Sequence, residues 1–142
     1  MDDIFERQQS ILIADVQVDG RIADIFVQDN GIIGAAGVGV RREHKGEADL
    51  IIDGNGAIAL PGFINTHTHA AMSLLRGYAD DMILQDWLSQ KIWPLEAHLT
   101  PGDVYWGTRL ACLEMIKSGT VAFNDMYFMM EEAARAVGEA GI

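Results

Sequence analysis

Cysteine is almost missing from this sequence. Cys112 stands alone among 142 residues, so no internal disulfide forms and a Cys-x-x-Cys metal or redox pair is excluded. The chain therefore suits a reducing compartment. Cationic side chains are scarce too: 10 Lys and Arg face 21 Asp and Glu, a formal charge of −11. A phosphate-backbone binder needs a cationic face, and a polybasic membrane anchor needs the same, so neither nucleic acid nor a membrane is expected as a partner. The acidity itself speaks for solubility and selects no substrate. No signal peptide is expected either, because Met1-Asp2-Asp3-Ile4-Phe5-Glu6-Arg7 places acids where a cationic start and an apolar run are required. The one stretch without Asp, Glu, Lys or Arg, Gly54 to Leu75, has the length to span a bilayer, but Pro61, Asn55, Asn65, His67 and His69 interrupt it. A buried strand and loop account for it better, and a soluble cytoplasmic protein is expected. Length is the last shortage. A complete (β/α)8 barrel needs about 250 residues, although 49% apolar and 22% charged residues are ordinary globular composition.

What is present begins with short strands. Ile11, Ile13, Val16 and Val18 are β-branched and Asp19-Gly20 marks a hairpin turn. Ile22 to Val27 reads as a second strand, Asp29-Asn30-Gly31 as a turn, Ile32-Ile33 as the start of a third strand, 41–49 as a charged loop and Leu50-Ile51-Ile52 as a further strand. The character changes at Pro61. Proline is tolerated where a strand begins, so the main strand is placed over the residues that follow, through His69. A mostly helical excursion follows, capped by Asp80 or Asp81, carrying Ile83, Leu84, Trp87 and Leu88 at helical spacing and ended by Pro94. Thr100-Pro101-Gly102-Asp103 supplies an N-cap, a proline at N1 and an acid at N3. Trp106, Leu110, Leu113 and Ile116 then mark an amphipathic stripe, with Gly119 as the C′ residue. Thr120 to Met126 reads as a strand and Glu131 to Glu139 as a helix. Strands alternating with helices imply a parallel sheet. Two such strands do not cover these helices, so the chain is expected to be the front end of a larger protein.

His67 and His69 carry the strongest chemical signal. Residues i and i+2 on a strand share a face, about 6.6 Å apart along it, and two imidazoles there can lean onto one ion. The strand end is also where chemistry is done in barrels and open α/β sheets. Spacing alone leaves two readings, a metal pair or two polar residues at a strand end; the preceding Pro-Gly-Phe-Ile-Asn-Thr and the parallel-strand context favour the metal. His44 falls in the charged loop and His98 flanks a helix, so neither is taken as a further ligand. A catalytic zinc site wants three or more protein ligands and an open position, which places the remainder beyond residue 142. Gly54-Asn55-Gly56-Ala57-Ile58-Ala59 fits a dinucleotide pattern by spacing, but Pro61 and another strand follow where a helix must open. By its own context Glu96 is a surface carboxylate near a helix start. The tryptophans Trp87, Trp93 and Trp106 read as core. Met126, Met129 and Met130 are either gap-filling core or the lining of a pocket. Asp125 is a structural cap or a functional acid, and Cys112 an inert packing residue.

Leu60-Pro61-Gly62-Phe63-Ile64-Asn65-Thr66-His67-Thr68-His69 resembles the amidohydrolase superfamily. Leu74-Leu75-Arg76-Gly77, Trp87-Leu88, Trp93-Pro94-Leu95-Glu96 and Ser118-Gly119-Thr120 are similar to its 5-methylthioadenosine/S-adenosylhomocysteine deaminase branch. The resemblance implies an α/β fold: the start of a (β/α)8 (TIM) barrel preceded by part of a small β-sandwich domain, truncated. Residues 1–58 would be the N-terminal part of a composite β domain and 59–142 the first two β/α units. It implies His67 and His69 as the first two metal ligands and Glu96 as a carboxylate binding the nucleoside through its ribose hydroxyls. It implies one divalent metal, zinc, with iron or manganese also accepted by such donors. The expected reaction is hydrolytic deamination of a small-molecule adenine nucleoside at C6, with ammonia leaving, by a homo-oligomer. The family's general acid/base groups have no counterpart in these residues, so the 142-residue chain alone is expected to be inactive. The competing readings are another amidohydrolase, of the triazine chlorohydrolase or guanine deaminase type, and a non-catalytic fragment that assembles with a partner; the codons after 142 discriminate the last.

Overall fold

The computed structural model describes residues 9–142; residues 1–8, which the expected first domain includes, lie outside the described residues. The chain divides into two compact units between Pro61 and Gly62.

The first unit is one four-stranded sheet in the order β3-β2-β1-β4, with β1 Ile11–Val18, β2 Arg21–Val27, β3 Ile33–Gly37 and β4 Leu50–Asp53. β1 pairs antiparallel with β2 and parallel with β4. The alternation in β1 puts Leu12, Ala14 and Val16 inside, as a period of two requires. Leu12 and Phe26 close a small core with Val40, each such side chain contributing about 1.5–3 kcal/mol by burial. The segment expected as a charged loop contains a short helix, α1 Val40–His44. Its reason is Asp24, buried between the elements, whose carboxylate accepts from the Asp15 N–H at 3.1 Å and the Arg41 N–H at 3.0 Å. A buried carboxylate must find such donors. His44 is not simply solvated: its ring stacks on Phe26 at 4.4 Å.

The second unit holds the parallel pair expected from the pattern: β5 Phe63–Thr68 and β6 Thr120–Asp125. Gly62 leads into β5 so close to β6 that a Cβ there would lie 2.2 Å from Val121 Cγ1. The crossover between the strands starts with a 3-10 turn over Ala70–Leu75. Helical structure then runs through α2 Leu84–Trp87, a π-helical turn Leu88–Ile92 and α3 Trp93–Glu96. Two expectations fail here. Neither Asp80 nor Asp81 caps this helix; it begins at Leu84 without a side-chain cap. Nor does Pro94 end it, because the widened turn before it absorbs the backbone mismatch that a proline otherwise forces on an α-helix.

α4 Pro101–Lys117 has the expected capping box: Asp103 accepts from the Thr100 N–H at 2.8 Å, and Thr100 Oγ1 accepts from the Asp103 N–H at 3.3 Å. Among the described residues nothing covers the expected stripe. Trp106, Leu113 and Ile116 are exposed, whereas Val104, Gly107, Thr108, Ala111 and Cys112 are buried. α4 packs by its small residues against the 3-10 turn and against α5 Met130–Ala140. Gly107 is what permits that approach: a Cβ there would sit 2.5 Å from the Ala71 carbonyl oxygen. Cys112 is fully buried, and burial pushes its thiol pKa up, as suits a packing residue. Among the described residues no helix is long and apolar enough to cross a membrane.

Candidate metal site

β5 delivers both histidines, but not by a regular ladder. Pairing with β6 shifts between Asn65 and Thr68. At this irregularity the freed groups are met by side chains: Asn65 Oδ1 accepts from the His67 N–H at 3.2 Å, and Asn124 Nδ2 donates to the Thr66 carbonyl at 3.4 Å. Bulges of this kind re-aim side chains next to active sites. The strand ends at Thr68, so His69 stands one residue past it as the cap of the 3-10 turn. The two rings still meet, with centroids 5.1 Å apart and planes at 75°.

The end of β6 holds His69 in place. The Met126 N–H donates to the Thr68 carbonyl at 3.1 Å. His69 Nδ1 donates to the Met126 carbonyl at 2.6 Å. A carbonyl only accepts, so Nδ1 carries the proton and, in the neutral ring, Nε2 keeps its lone pair. This arrangement orients ligating histidines in metal sites generally, and it fits a metal at Nε2. Asp125 Oδ1 accepts from the Ala70 N–H at 2.9 Å, which makes Asp125 a cap on the turn after His69. Among the described residues no group of three or more His, Cys, Asp and Glu is placed to hold a metal ion. The described chain thus supplies a pair of imidazoles and not a complete ligand set.

Beside the pair lies a cavity of about 560 Å³ whose walls include His69, Trp87, Trp93, Glu96, Met126 and Tyr127. Glu96 reaches it from the end of α3 and is half-buried. The Tyr127 hydroxyl donates to Glu96 Oε1 at 2.7 Å, and its ring lies 6.3 Å from that of His69. Burial first, and the Glu96 carboxylate second, push the Tyr127 phenol well above its ordinary value, so it stays protonated as a donor. His69 and Glu96 therefore share one cavity; His98 is exposed at the foot of α3 and does not line it. Trp87 and Trp93, expected in the core, form its wall instead, and Trp93 is 51% exposed. Met126 takes the lining role of the two readings open to it.

Sequence reasoning missed Tyr127 and the Met126 carbonyl. Tyr127 stands two residues past Asp125, at the end of a strand where site residues gather, and that position was the available signal. A backbone acceptor leaves none.

The sequence profile of the amidohydrolase family matches residues 58–142. A 5′-deoxyadenosine deaminase of Methanoregula boonei is 68% identical over 140 residues, covering 99% of this chain and 32% of that protein. A 5-methylthioadenosine/S-adenosylhomocysteine deaminase of Syntrophomonas wolfei is 59% identical over 121 residues, covering 85% of this chain and 26% of that one. The chain spans about a third or less of the length of these relatives. Among solved structures, an adenosine deaminase from Xanthomonas campestris with bound zinc superposes with a TM-score of 0.77 at 33% identity, over 92% of this chain and 32% of that one. A zinc complex of atrazine chlorohydrolase from Arthrobacter aurescens gives 0.72 at 25% identity, over 93% and 34%. The fold shared with these neighbours is the opening of a (β/α)8 barrel, preceded in sequence by part of a small β domain. With its profile matched over more than half its length, the chain belongs to the amidohydrolase family.

Proposed function

We propose that the protein to which these residues belong is a metal-dependent hydrolase that deaminates adenine nucleosides: 5′-deoxyadenosine, 5-methylthioadenosine, S-adenosylhomocysteine or adenosine. The observation that carries this reading is the cavity shared by His69 and Glu96. A purine placed against the histidine pair leaves its sugar within that cavity, where a carboxylate accepts from vicinal hydroxyls. Among the described residues Glu96 is its one carboxylate and no Lys or Arg lines it, so the described wall offers a 5′-phosphate no cation. The aromatic and aliphatic wall suits an uncharged 5′ carbon instead. The names of the relatives support the same class.

In this reading His67 and His69 bind the divalent metal. Zinc is the metal proposed, from the donor set and from the zinc in the solved neighbours; the metal, when bound, activates water for hydrolysis. His69 presents Nε2 because Nδ1 is committed to the Met126 carbonyl. Glu96 binds and orients the ribose. The apolar wall excludes water around the base. Residues 1–58 are assigned to the composite β domain and 59–142 to the first two β/α units.

The test is Glu96→Ala in the full-length protein, followed by ammonia release. Hydrogen bonds to a charged group contribute about 1.5–3 kcal/mol, so kcat/KM on the nucleoside should fall roughly 10- to 150-fold while metal content holds. An equal loss on adenine, which has no sugar, refutes the role of Glu96.

A further inference from the structure

We propose that Tyr127 is a positioning residue for Glu96, setting the place of the sugar-gripping carboxylate relative to the metal-facing ring of His69. The inference rests on the nucleoside reading above and adds to it a residue and a mechanism of alignment.

Three consecutive residues at the end of β6 hold three parts of the site. Asp125 Oδ1 fixes the backbone after His69, the Met126 carbonyl fixes the His69 ring, and the Tyr127 hydroxyl fixes Glu96 Oε1. The tyrosine lever is itself anchored, since its ring packs on the buried cluster of Ala71, Val104 and Ala133. Glu96 needs such a hold. It lies at the last residue of α3, after a π-helical turn, and glutamate is among the side chains that lose most rotamer freedom when ordered. Among the described residues the phenol is its hydrogen-bond partner and occupies one carboxylate oxygen, which leaves Oε2 for a diol. Fixing the carboxylate before substrate arrives removes that ordering loss from binding. Because Met126 and Tyr127 are adjacent, any shift of this segment would move the histidine ring and the carboxylate together.

The experiment compares wild type, Tyr127→Phe, Glu96→Ala and the double variant of the full-length protein. Turnover of adenosine and 2′,3′-dideoxyadenosine is measured, with dissociation constants for inosine and 2′,3′-dideoxyinosine, and metal content by elemental analysis. Tyr127→Phe should weaken inosine binding and lower kcat/KM on adenosine about tenfold, the size of one hydrogen bond to a charged group. It should leave both dideoxy compounds and the metal content unchanged. The double variant should lose no more than Glu96→Ala, because the tyrosine acts through the carboxylate. Loss of affinity for the dideoxy compounds, loss of metal, or additive losses would show that Tyr127 shapes the pocket or the metal site instead, and would overturn the proposal. Wild-type values for Tyr127→Phe beside a strong loss for Glu96→Ala would overturn the proposal and leave the nucleoside reading standing. No loss for Glu96→Ala on inosine would sink the ribose role and the positioning role with it. Thermal midpoints check that each variant is folded, and Tyr127→Phe keeps the ring that the cluster packs against.

Discussion

The same substitution at two helical glycines should act with opposite sign. In α4, a methyl at Gly107 would lie 2.5 Å from the Ala71 carbonyl oxygen, 3.0 Å from its Cα and 3.1 Å from its carbonyl carbon. All three are backbone atoms, so no rotamer change relieves the overlap; α4 and the 3-10 turn must separate. Overpacking of this kind costs about 1–3 kcal/mol. Alanine regains about 0.5–1 kcal/mol of helix preference, which leaves Gly107→Ala destabilising by about 1 kcal/mol at mid-range and by up to about 2.5 kcal/mol. In α5, none of the described residues comes within 4 Å of a Cβ built on Gly138, so Gly138→Ala keeps only the helix gain and should stabilise by up to about 1 kcal/mol. The two effects also differ in reach. The turn displaced by Gly107→Ala begins at Ala70, directly after His69, so that variant should also lower metal affinity. Urea denaturation of the full-length protein with a metal titration reads both. Shifts of one sign for the two variants, or a Gly107→Ala protein as stable as wild type with unchanged metal affinity, would refute the backbone-contact argument.

His67→Ala or His69→Ala in the full-length protein should remove most of the metal and the activity; full retention of both in either variant would show that the pair is not the ligand set. The Thr100 hydroxyl and then its backbone N–H hold the Asp103 carboxyl below its ordinary range. A pKa depressed by folding stabilises at neutral pH, and that contribution is lost as pH falls through the folded-state value. Asp103→Asn should therefore be less stable than wild type at neutral pH and indistinguishable in acid, as read by thermal unfolding across pH; a gap that persists in acid contradicts the cap assignment. A polypeptide limited to residues 1–142 exposes Phe63, Ile64 and Val121 on its parallel pair and Trp106 and Leu113 on α4. Such patches favour association, and the polypeptide should self-associate and release no ammonia from S-adenosylhomocysteine with zinc; light scattering of a monomer would contradict the first half and robust turnover the second.

The strands and the cap of α4 were legible because each depends on neighbours in sequence. Alternation from Ile11 to Val18, the Asp19-Gly20 turn and the Thr100–Asp103 box need nothing distant to be read. The buried face of α4 was not legible in the same way. Periodicity reports which residues are apolar, and Trp106, Leu110, Leu113 and Ile116 are the largest apolar residues on the helix. The face that packs among the described residues is the one with Gly107 and Ala111, because close approach to the turn after β5 rewards absence of side chain rather than its size. A face made where backbone meets backbone carries no hydrophobic pattern to announce it. Pro94 fails for a related reason: its rule assumes an α-helical partner, and the π-helical turn at Leu88–Ile92 removes that assumption.

The candidate site divides along the same line. His67 and His69 were readable as a pair because a two-residue spacing near a strand end is a local signal; His69 lies one residue past the strand, and their rings still meet. Their orientation was not readable. It depends on Asn65 and Asn124 bridging an irregular stretch of pairing, and on a carbonyl 57 residues away that accepts the hydrogen bond from His69 Nδ1. Glu96 shows the converse. By itself it is one acidic residue at a helix end, chemically the same as many others. What distinguishes it is the company that the crossover brings to it, a tyrosine from the end of the next strand and a ring from the end of the previous one. A parallel β/α unit brings strand ends together at one edge whatever their sequence separation. Residue types along the chain therefore nominate candidate ligands, and the topology decides which of them share one cavity.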